Sequence, residues 1–256
     1  MISVEFWTGL LRGKIMALSN FFRTPFKTIY NVCSRLYNYN FGFYGYYNIP
    51  FKFPKPLPPN SVAVLKKGCA MLDALGVKHC VSFGTLLGIY RDNRLIPHDS
   101  DLDIEAVHPV DTGKIEKEFV ANGFKLGAKI VALGVVQKLA FYTEDEVVFD
   151  IELYQRIGDF VYSFHDKNLY FKFPAEYYEN FEQRPFSGYM VHVPRNPESW
   201  LEYTYGKNWR VPKMSKRDFN EEKFFDEEGY GMHVKVEGDI LAEIGKIKKA
   251  EQLRTL

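Results

Sequence analysis

The chain has 256 residues, 46% apolar and 25% charged side chains, and a formal net charge of +1. That length holds one large or two small domains with a sizeable core, and the composition is that of a globular protein. A near-neutral balance excludes the overall basic field on which nucleic-acid binding rests, so no nucleic-acid partner is expected.

Three cysteines, Cys33, Cys69 and Cys80, lack C-x-x-C spacing and leave one thiol over. They read as small buried apolar residues in a reducing compartment. No apolar run reaches the roughly 18 residues of a membrane span, and Arg12 and Lys14 interrupt the first apolar stretch. A cytoplasmic protein without a signal peptide is the expectation.

In chain order, Trp7, Leu11, Ile15, Leu18 and Phe22 recur at helical spacing. Thr24-Pro25 then reads as an N-cap and first helical residue, followed by a second stripe of Phe26, Ile29, Tyr30, Cys33, Leu36 and Tyr37. No acidic residue falls between Glu5 and Asp73, while Arg12, Lys14, Arg23, Lys27 and Arg35 do. A basic, aromatic amphipathic pair of helices suits either an anionic membrane surface or a protein partner. The aromatic run Tyr39 to Tyr47 and the proline-rich KFPKPLPPN lead out of this segment. Residues 1–59 therefore read as an extension and linker, and 60–256 as the main domain.

From Asn60 the pattern is mixed α and β. Asn60 or Ser61 caps a helix with the stripe Val62, Leu65, Cys69 and Leu72, stopped at Gly76. Strands are expected at 77–83, 101–107, 125–132, 136–142, 146–154, 160–164 and 189–193. Helices are expected at 85–91, 112–122 and 197–205. The fold class is α+β, a mixed sheet flanked by helices.

The stretch Ser82–Glu105, SFGTLLGIYRDNRLIPHDSDLDIE, carries the chemistry. Asp101, Asp103 and Glu105 alternate with Leu102 and Ile104, the pattern of a half-buried strand. Two aspartates on one strand face repel each other unless a cation neutralises them, and a divalent metal carrying phosphate fits. Gly84-Thr85 opens a short helix whose N–H groups and hydroxyl suit a phosphate. A second acidic strand, VVFDIELY, places Asp150 and Glu152 two apart on one side. An acid in an apolar strand needs a partner, so one of them, Asp150 first, is expected to reach the metal or act as base.

These residues resemble a known family. GTLLGIYRDNRLIPHDSDLDI is similar to the central motif of the LicD/fukutin family of the nucleotidyltransferase-fold superfamily. The match runs through Gly84, Thr85, Leu86, Leu87, Gly88, Arg91, Ile96, Pro97, Asp99, Asp101, Asp103 and Ile104. The stretch VPRNPESWLEYTYGKNWRVP is similar to the family's closing segment, including Trp200, Tyr205, Gly206, Trp209 and Pro212. His98 stands where the family usually has an aromatic residue.

The resemblance implies a Mg²⁺- or Mn²⁺-dependent transferase on a nucleotidyltransferase-like mixed sheet. It would move a phospho-alcohol, of the phosphocholine or ribitol-phosphate type, from a CDP-linked donor to a sugar hydroxyl of a surface glycan. Asp101, Asp103 and Asp150 are then the metal-binding and catalytic residues. Gly84, Thr85, Arg91, Glu152, Tyr205 and Trp209 are the substrate-binding candidates, with Tyr205 and Trp209 reading equally as core residues; Arg91, within the motif, and Lys138, outside it, are the candidate counter-charges for the diphosphate, with a surface basic residue the alternative for Lys138. A peripheral position at the membrane face is the matching expectation for residues 1–59. The competing readings are a nucleotidyltransferase using a nucleoside triphosphate and a non-catalytic binding or scaffolding protein on the same fold.

Overall fold

The computed structural model describes residues 43–51, 54–165 and 170–212. The two amphipathic helices expected before residue 38 lie outside the described residues. In chain order the elements are β1 (Phe43–Tyr47), α1 (Ser61–Ala74), β2 (His79–Val81), α2 (Phe83–Asp92), β3 (Asp101–Val107) and α3 (Thr112–Ala121). Then come β4 (Lys125–Ala132), β5 (Val135–Tyr142), β6 (Val148–Ile157), β7 (Phe160–Phe164) and β8 (Tyr170–Pro174). A 3₁₀ turn (Ala175–Tyr178), β9 (Glu182–Phe186), β10 (Tyr189–Val193) and α4 (Pro197–Tyr205) complete the order.

The main sheet runs β1-β4-β5-β6-β3-β2, with β7 paired to the far end of β6 and β8 to β7. β3 and β6 are parallel, and their neighbours are antiparallel. β9 and β10 form a separate hairpin. The architecture is the mixed α+β one expected. Its edge strand β1 comes from the aromatic run before the proline-rich linker and pairs with β4 from Phe43↔Ala132 to Tyr47↔Ala128.

One sheet face builds the core. Leu102, Ile104 and Ala106 of β3, Phe149, Ile151 and Leu153 of β6, and Leu139 and Phe141 of β5 are all buried. Helices α1 and α3 cover them. Phe119 of α3 stacks on Phe141 at 4.6 Å and meets Phe149 at 5.6 Å, with Phe124 at 4.9 Å. Each such aromatic pair adds about 0.5–1.5 kcal/mol beyond the area it buries. Helix α1 presents Val64, Leu65, Gly68, Cys69, Met71 and Leu72 to the core at three- and four-residue spacing. Cys69 and Cys80 are buried and free, as their lack of pairing suggested.

Several expected boundaries moved, each for a local reason. Asn60 takes the N-cap position of α1, but with φ −84° and ψ 4° its side chain makes no capping bond and its amide donates instead to Asp145 Oδ2 at 2.7 Å. The strand expected over 77–83 is only three residues long, because Phe83 turns to φ +39° and begins α2. A bulky residue at that φ is strained and needs tertiary support. Phe83 has it, packed against Phe171 at 5.5 Å and Trp200 at 5.6 Å. β6 starts later and runs longer than expected, since the chain is still turning at Glu146 (φ +61°). β3, β4, β7, β10 and α4 have the expected bounds. Among the described residues no helix is long and apolar enough to cross a membrane.

The tightest contact between α1 and the sheet gives a test. A Cβ built on Gly68 would run into the Phe149 ring. Gly68→Val is expected to destabilise the fold by about 1–3 kcal/mol through overpacking, read as a lower urea midpoint at unchanged slope.

Candidate active site

The face of the sheet opposite the Phe119 cluster carries the acids. Parallel register sets Asp103 beside Asp150 and Glu105 beside Glu152. From the other side of β6, β5 sets Ala140 beside Asp150 and Lys138 beside Glu152. Strand alternation therefore brings Asp101, Asp103, Glu105, Asp150, Glu152 and Lys138 onto one surface. Glu105, Asp150 and Glu152 are buried, and Asp101 and Asp103 are partly exposed.

Burial and mutual repulsion together oppose ionisation here. Burial, then Asp150 and Asp99, push the Asp101 carboxyl above the usual carboxylate range, against the pull of Lys138. Asp103 is raised further by burial, Asp101, Asp99 and Asp150. Burial also raises Asp99, against the hydrogen bond from the Ser100 N–H. Among the described residues a cation is placed with them: Lys138, whose Nζ lies 2.5 Å from Asp150 Oδ2. Burial pulls its pKa down, but Asp150 and Glu152 outweigh that, so the ammonium holds its proton more tightly than usual.

The outer acids are each tied down. Glu105 accepts from the hydroxyls of Tyr154 and Tyr178, both at 2.9 Å, and burial still pushes it up to about 8. Glu152 accepts from Ser163 Oγ and from His165 Nε2 at 2.7 Å. Those donors and Lys138 overcome its burial and hold it below the usual range. This separates the two candidates for the third carboxylate. Glu152 is already satisfied, whereas Asp150 Oδ1 is buried with no hydrogen-bond partner.

The Gly-Thr turn shapes the acid cluster directly. Thr85 is buried, and its hydroxyl accepts the Asp103 backbone N–H at 2.9 Å. That is a correction to its expected role: the side chain ties α2 to β3 and does not stand open to a phosphate. Gly84 is glycine because the Asp99 carboxylate fills the space a Cβ would need. Asp99 Oδ2 is itself buried without a partner. The loop acid thus sits against the start of α2, closer to the chemistry than its loop position suggested.

The remaining candidates divide. The Tyr205 phenol is raised by burial and then by Asp103, Asp99, Glu105 and Asp101, so α4 does bring it to the acids. Arg91 is not brought there; it lies in the last turn of α2 and forks the neighbouring Asp92, with Nη2 to Oδ2 at 2.7 Å. Trp209 is a packing residue, buried edge-on to Tyr90 at 5.9 Å and covered by the Arg210 guanidinium at 4.1 Å. Arg91 lies about 10 Å along the α2 axis from Gly84, and Trp209 packs on its neighbour Tyr90. Ser163 and His165 were missed. Their signal was the polar alternation at the end of VYSFH in β7, which spacing alone does not connect to Glu152.

Chemically, the donor set suits a hard divalent cation. It is all oxygen, it carries excess negative charge, and two of its buried oxygens lack partners. Among the described residues no three His, Cys, Asp or Glu side chains already converge as a complete metal cage. Mg²⁺ does not require one, since it is usually held by one or two carboxylates together with water and substrate phosphate. The residues fit such an ion.

Residues 76–196 match the family described as LicD/FKTN/FKRP, nucleotidyltransferase domain. Over these residues the chain is similar to the LicD/fukutin family. The matched region includes Gly84, Asp101, Asp103 and Asp150 and ends before Tyr205 and Trp209. The ribitol-5-phosphate transferase FKTN of Macaca fascicularis is 28% identical over 157 residues, 58% of this chain and 33% of that protein. The ribitol 5-phosphate transferase FKRP of Mus musculus is 27% identical over 148 residues, 53% of this chain and 29% of that protein. The chain therefore spans no more than about a third of either relative. Among solved structures, the lincosamide antibiotic adenylyltransferase LnuA superposes with a TM-score of 0.43 at 12% identity, covering 66% of this chain and 94% of LnuA. That superposition is too loose to add to the family match.

The acid face predicts how stability varies with pH. Asp99, Asp101, Asp103 and Glu105 bind protons more readily folded than unfolded, so their contribution is full below the unfolded carboxylate range and is lost as pH rises. Glu152, shifted the other way, loses its contribution only as pH falls below about 4. With divalent cations removed, the thermal midpoint is expected to fall between about pH 5 and pH 8. Glu105→Gln is expected to flatten the upper part of that fall, read by melting curves across the range.

Proposed function

We propose that this chain is a transferase moving a phospho-alcohol from a CDP-linked donor to a sugar hydroxyl of a glycan. The observation that carries the reading is the in-register pair Asp103↔Asp150 beside Asp101, with Asp150 Oδ1 left unpartnered. The family match and the ribitol-phosphate activity of the relatives support it. Phosphoryl transfer asks a protein for positioning and charge neutralisation more than for covalent chemistry, and this face is built for both.

Asp101 and Asp103 would hold Mg²⁺ or Mn²⁺ with Asp150 as third carboxylate, and the bound ion supplies positive charge to the donor's diphosphate. The chain's own groups do the rest. The Thr85 hydroxyl, gripping the Asp103 N–H, fixes where β3 presents its acids. Lys138 keeps Asp150 oriented and offsets part of the negative charge that a diphosphate would meet. Tyr205 closes the face from α4, and the packed rings of Phe83, Phe173 and Trp200 keep bulk water from its flank. The acceptor is a glycan or its lipid-linked precursor, met at a membrane surface through residues 1–59.

Asp103→Asn is expected to cut transfer by at least about 10²–10³-fold while the melting temperature does not fall. CMP release from CDP-ribitol and CDP-choline, set against nucleoside triphosphate consumption, measures it. Retained transfer in that variant, or turnover of triphosphates alone, would overturn the reading. A second expectation concerns the ion. Adding Mg²⁺ with CDP is expected to raise the melting temperature of the wild type and not of Asp101→Asn, as mass action on a native-state site requires.

A further inference from the structure

The β9–β10 hairpin forms a sheet of its own and packs on α1 and β2 through side chains. Phe186 of β9 and Val191 and Val193 of β10 supply the apolar part of that contact. The polar part gathers on one carboxylate, Asp73 in the last turn of α1. Its Oδ2 accepts from the Tyr189 hydroxyl at 2.9 Å, and its Oδ1 lies 3.4 Å from His192 Nε2. His79, the first residue of β2, completes the group. Its Nδ1 is 3.8 Å from the same Oδ1, and its ring meets the His192 ring edge-on at 5.4 Å.

We propose that this hairpin is a pH-sensitive clamp, docked at neutral pH and loosened in mild acid when His79 takes a proton. His79 Nδ1 donates to the Val77 carbonyl at 3.0 Å, which leaves Nε2 as the unprotonated nitrogen of the neutral ring. That nitrogen is buried with no hydrogen-bond partner, and the residue is 1% exposed. A second proton has to go there, where the new N–H meets neither an acceptor nor solvent. Asp73 does not answer it, since Asp73 lies on the Nδ1 side. Burial holds the imidazole below its usual range, with His192 adding to this and the Val77 carbonyl and Asp73 opposing it. Among the described residues, Asp73 of α1 and His192 of β10 are the titratable groups that face the ring. Tyr189 of β10 and Cys69 of α1 adjoin Asp73, and burial keeps the phenol and the thiol protonated.

Once the hairpin loosens, the ring meets water and titrates near the ordinary imidazole value of about 6.5. A histidine whose docked pKa is depressed contributes stability above that value and loses it as pH falls below. The sign is opposite to that of Asp99, Asp101, Asp103 and Glu105, which bind protons more readily in the folded chain. The clamp bears on both helices that frame the acid face. Arg184 of β9 lies over the Tyr90 ring of α2 at 4.3 Å and donates to the Tyr90 carbonyl at 3.3 Å. Glu182 of β9 accepts the Asn196 N–H at 2.8 Å, immediately before α4. Loosening the hairpin therefore releases the end of α2 and the start of α4. None of this depends on the transferase reading.

Amide hydrogen exchange on the full chain, corrected for the intrinsic pH dependence of exchange, is the test. Between about pH 7.5 and 5.5, opening of β9 and β10 is expected to rise by about 10-fold, while protection of β3 and β6 does not fall. His79→Phe is expected to abolish the response and His192→Gln to retain it; if the Phe variant does not fold, His79→Gln takes its place. Wild-type hairpin exchange that ignores pH, a response that survives the loss of His79, or one lost with His192 alone would each overturn the clamp.

Discussion

Like charges forced together on β3 and β6 are the constraint that organises this molecule. The parallel register puts Asp103 against Asp150 and Glu105 against Glu152 in the middle of a sheet whose other face is solid hydrocarbon. Such a surface is stable only if each acid is protonated, hydrogen-bonded or neutralised. The structure uses all three means. Glu105 is raised and gripped by Tyr154 and Tyr178, Glu152 is held ionised by Ser163 and His165, and Asp150 leans on Lys138. Only the Asp99–Asp101–Asp103 end, with Asp150 Oδ1, remains under-compensated, and that is where an added cation gains most.

The rest of the fold can be read as support for that surface. Helices α1 and α3 load the opposite face with aromatic contacts, so β3, β5 and β6 cannot slip register without burying acids in the core. Helix α2 delivers Gly84 and Thr85 against the acids, and its strained first residue, Phe83, is locked by rings from β8 and α4. The same α4 carries Tyr205 to the site. Burial and charge are concentrated on this one face, as expected where function rather than stability sets the residue choice.

How much of this was legible in the sequence depends on whether the signal is local. β3 announced itself because Asp101, Leu102, Asp103 and Ile104 alternate, and its bounds came out to the residue. β1, β8 and β9 did not. FYGYY is aromatic at all but one position, YFKFP has adjacent aromatics and a terminal proline, and EQRPF is polar with an internal proline, so none shows a period of two. The carboxylates were legible as a pair of motifs, yet their partners were not. Lys138 with Asp150, His165 with Glu152, and Tyr154 with Glu105 join residues 12, 13 and 49 positions apart, and only strand register brings them together. The family motif likewise led to Arg91 and Trp209, since a motif records which residues recur and not which way they point. Arg91 turned to its neighbour Asp92, and Trp209 went into the core.

A cation bound at the under-compensated end of the acid face is what the chemistry depends on. Anomalous diffraction from crystals grown with Mn²⁺ and CDP tests that most directly. The expected result is a manganese peak bonded to the Asp101 and Asp103 carboxylates, with Asp150 Oδ1 turned toward it and Lys138 still beside Oδ2. A structure with CDP bound and no manganese at those carboxylates, or with the ion held elsewhere on the chain, would contradict it.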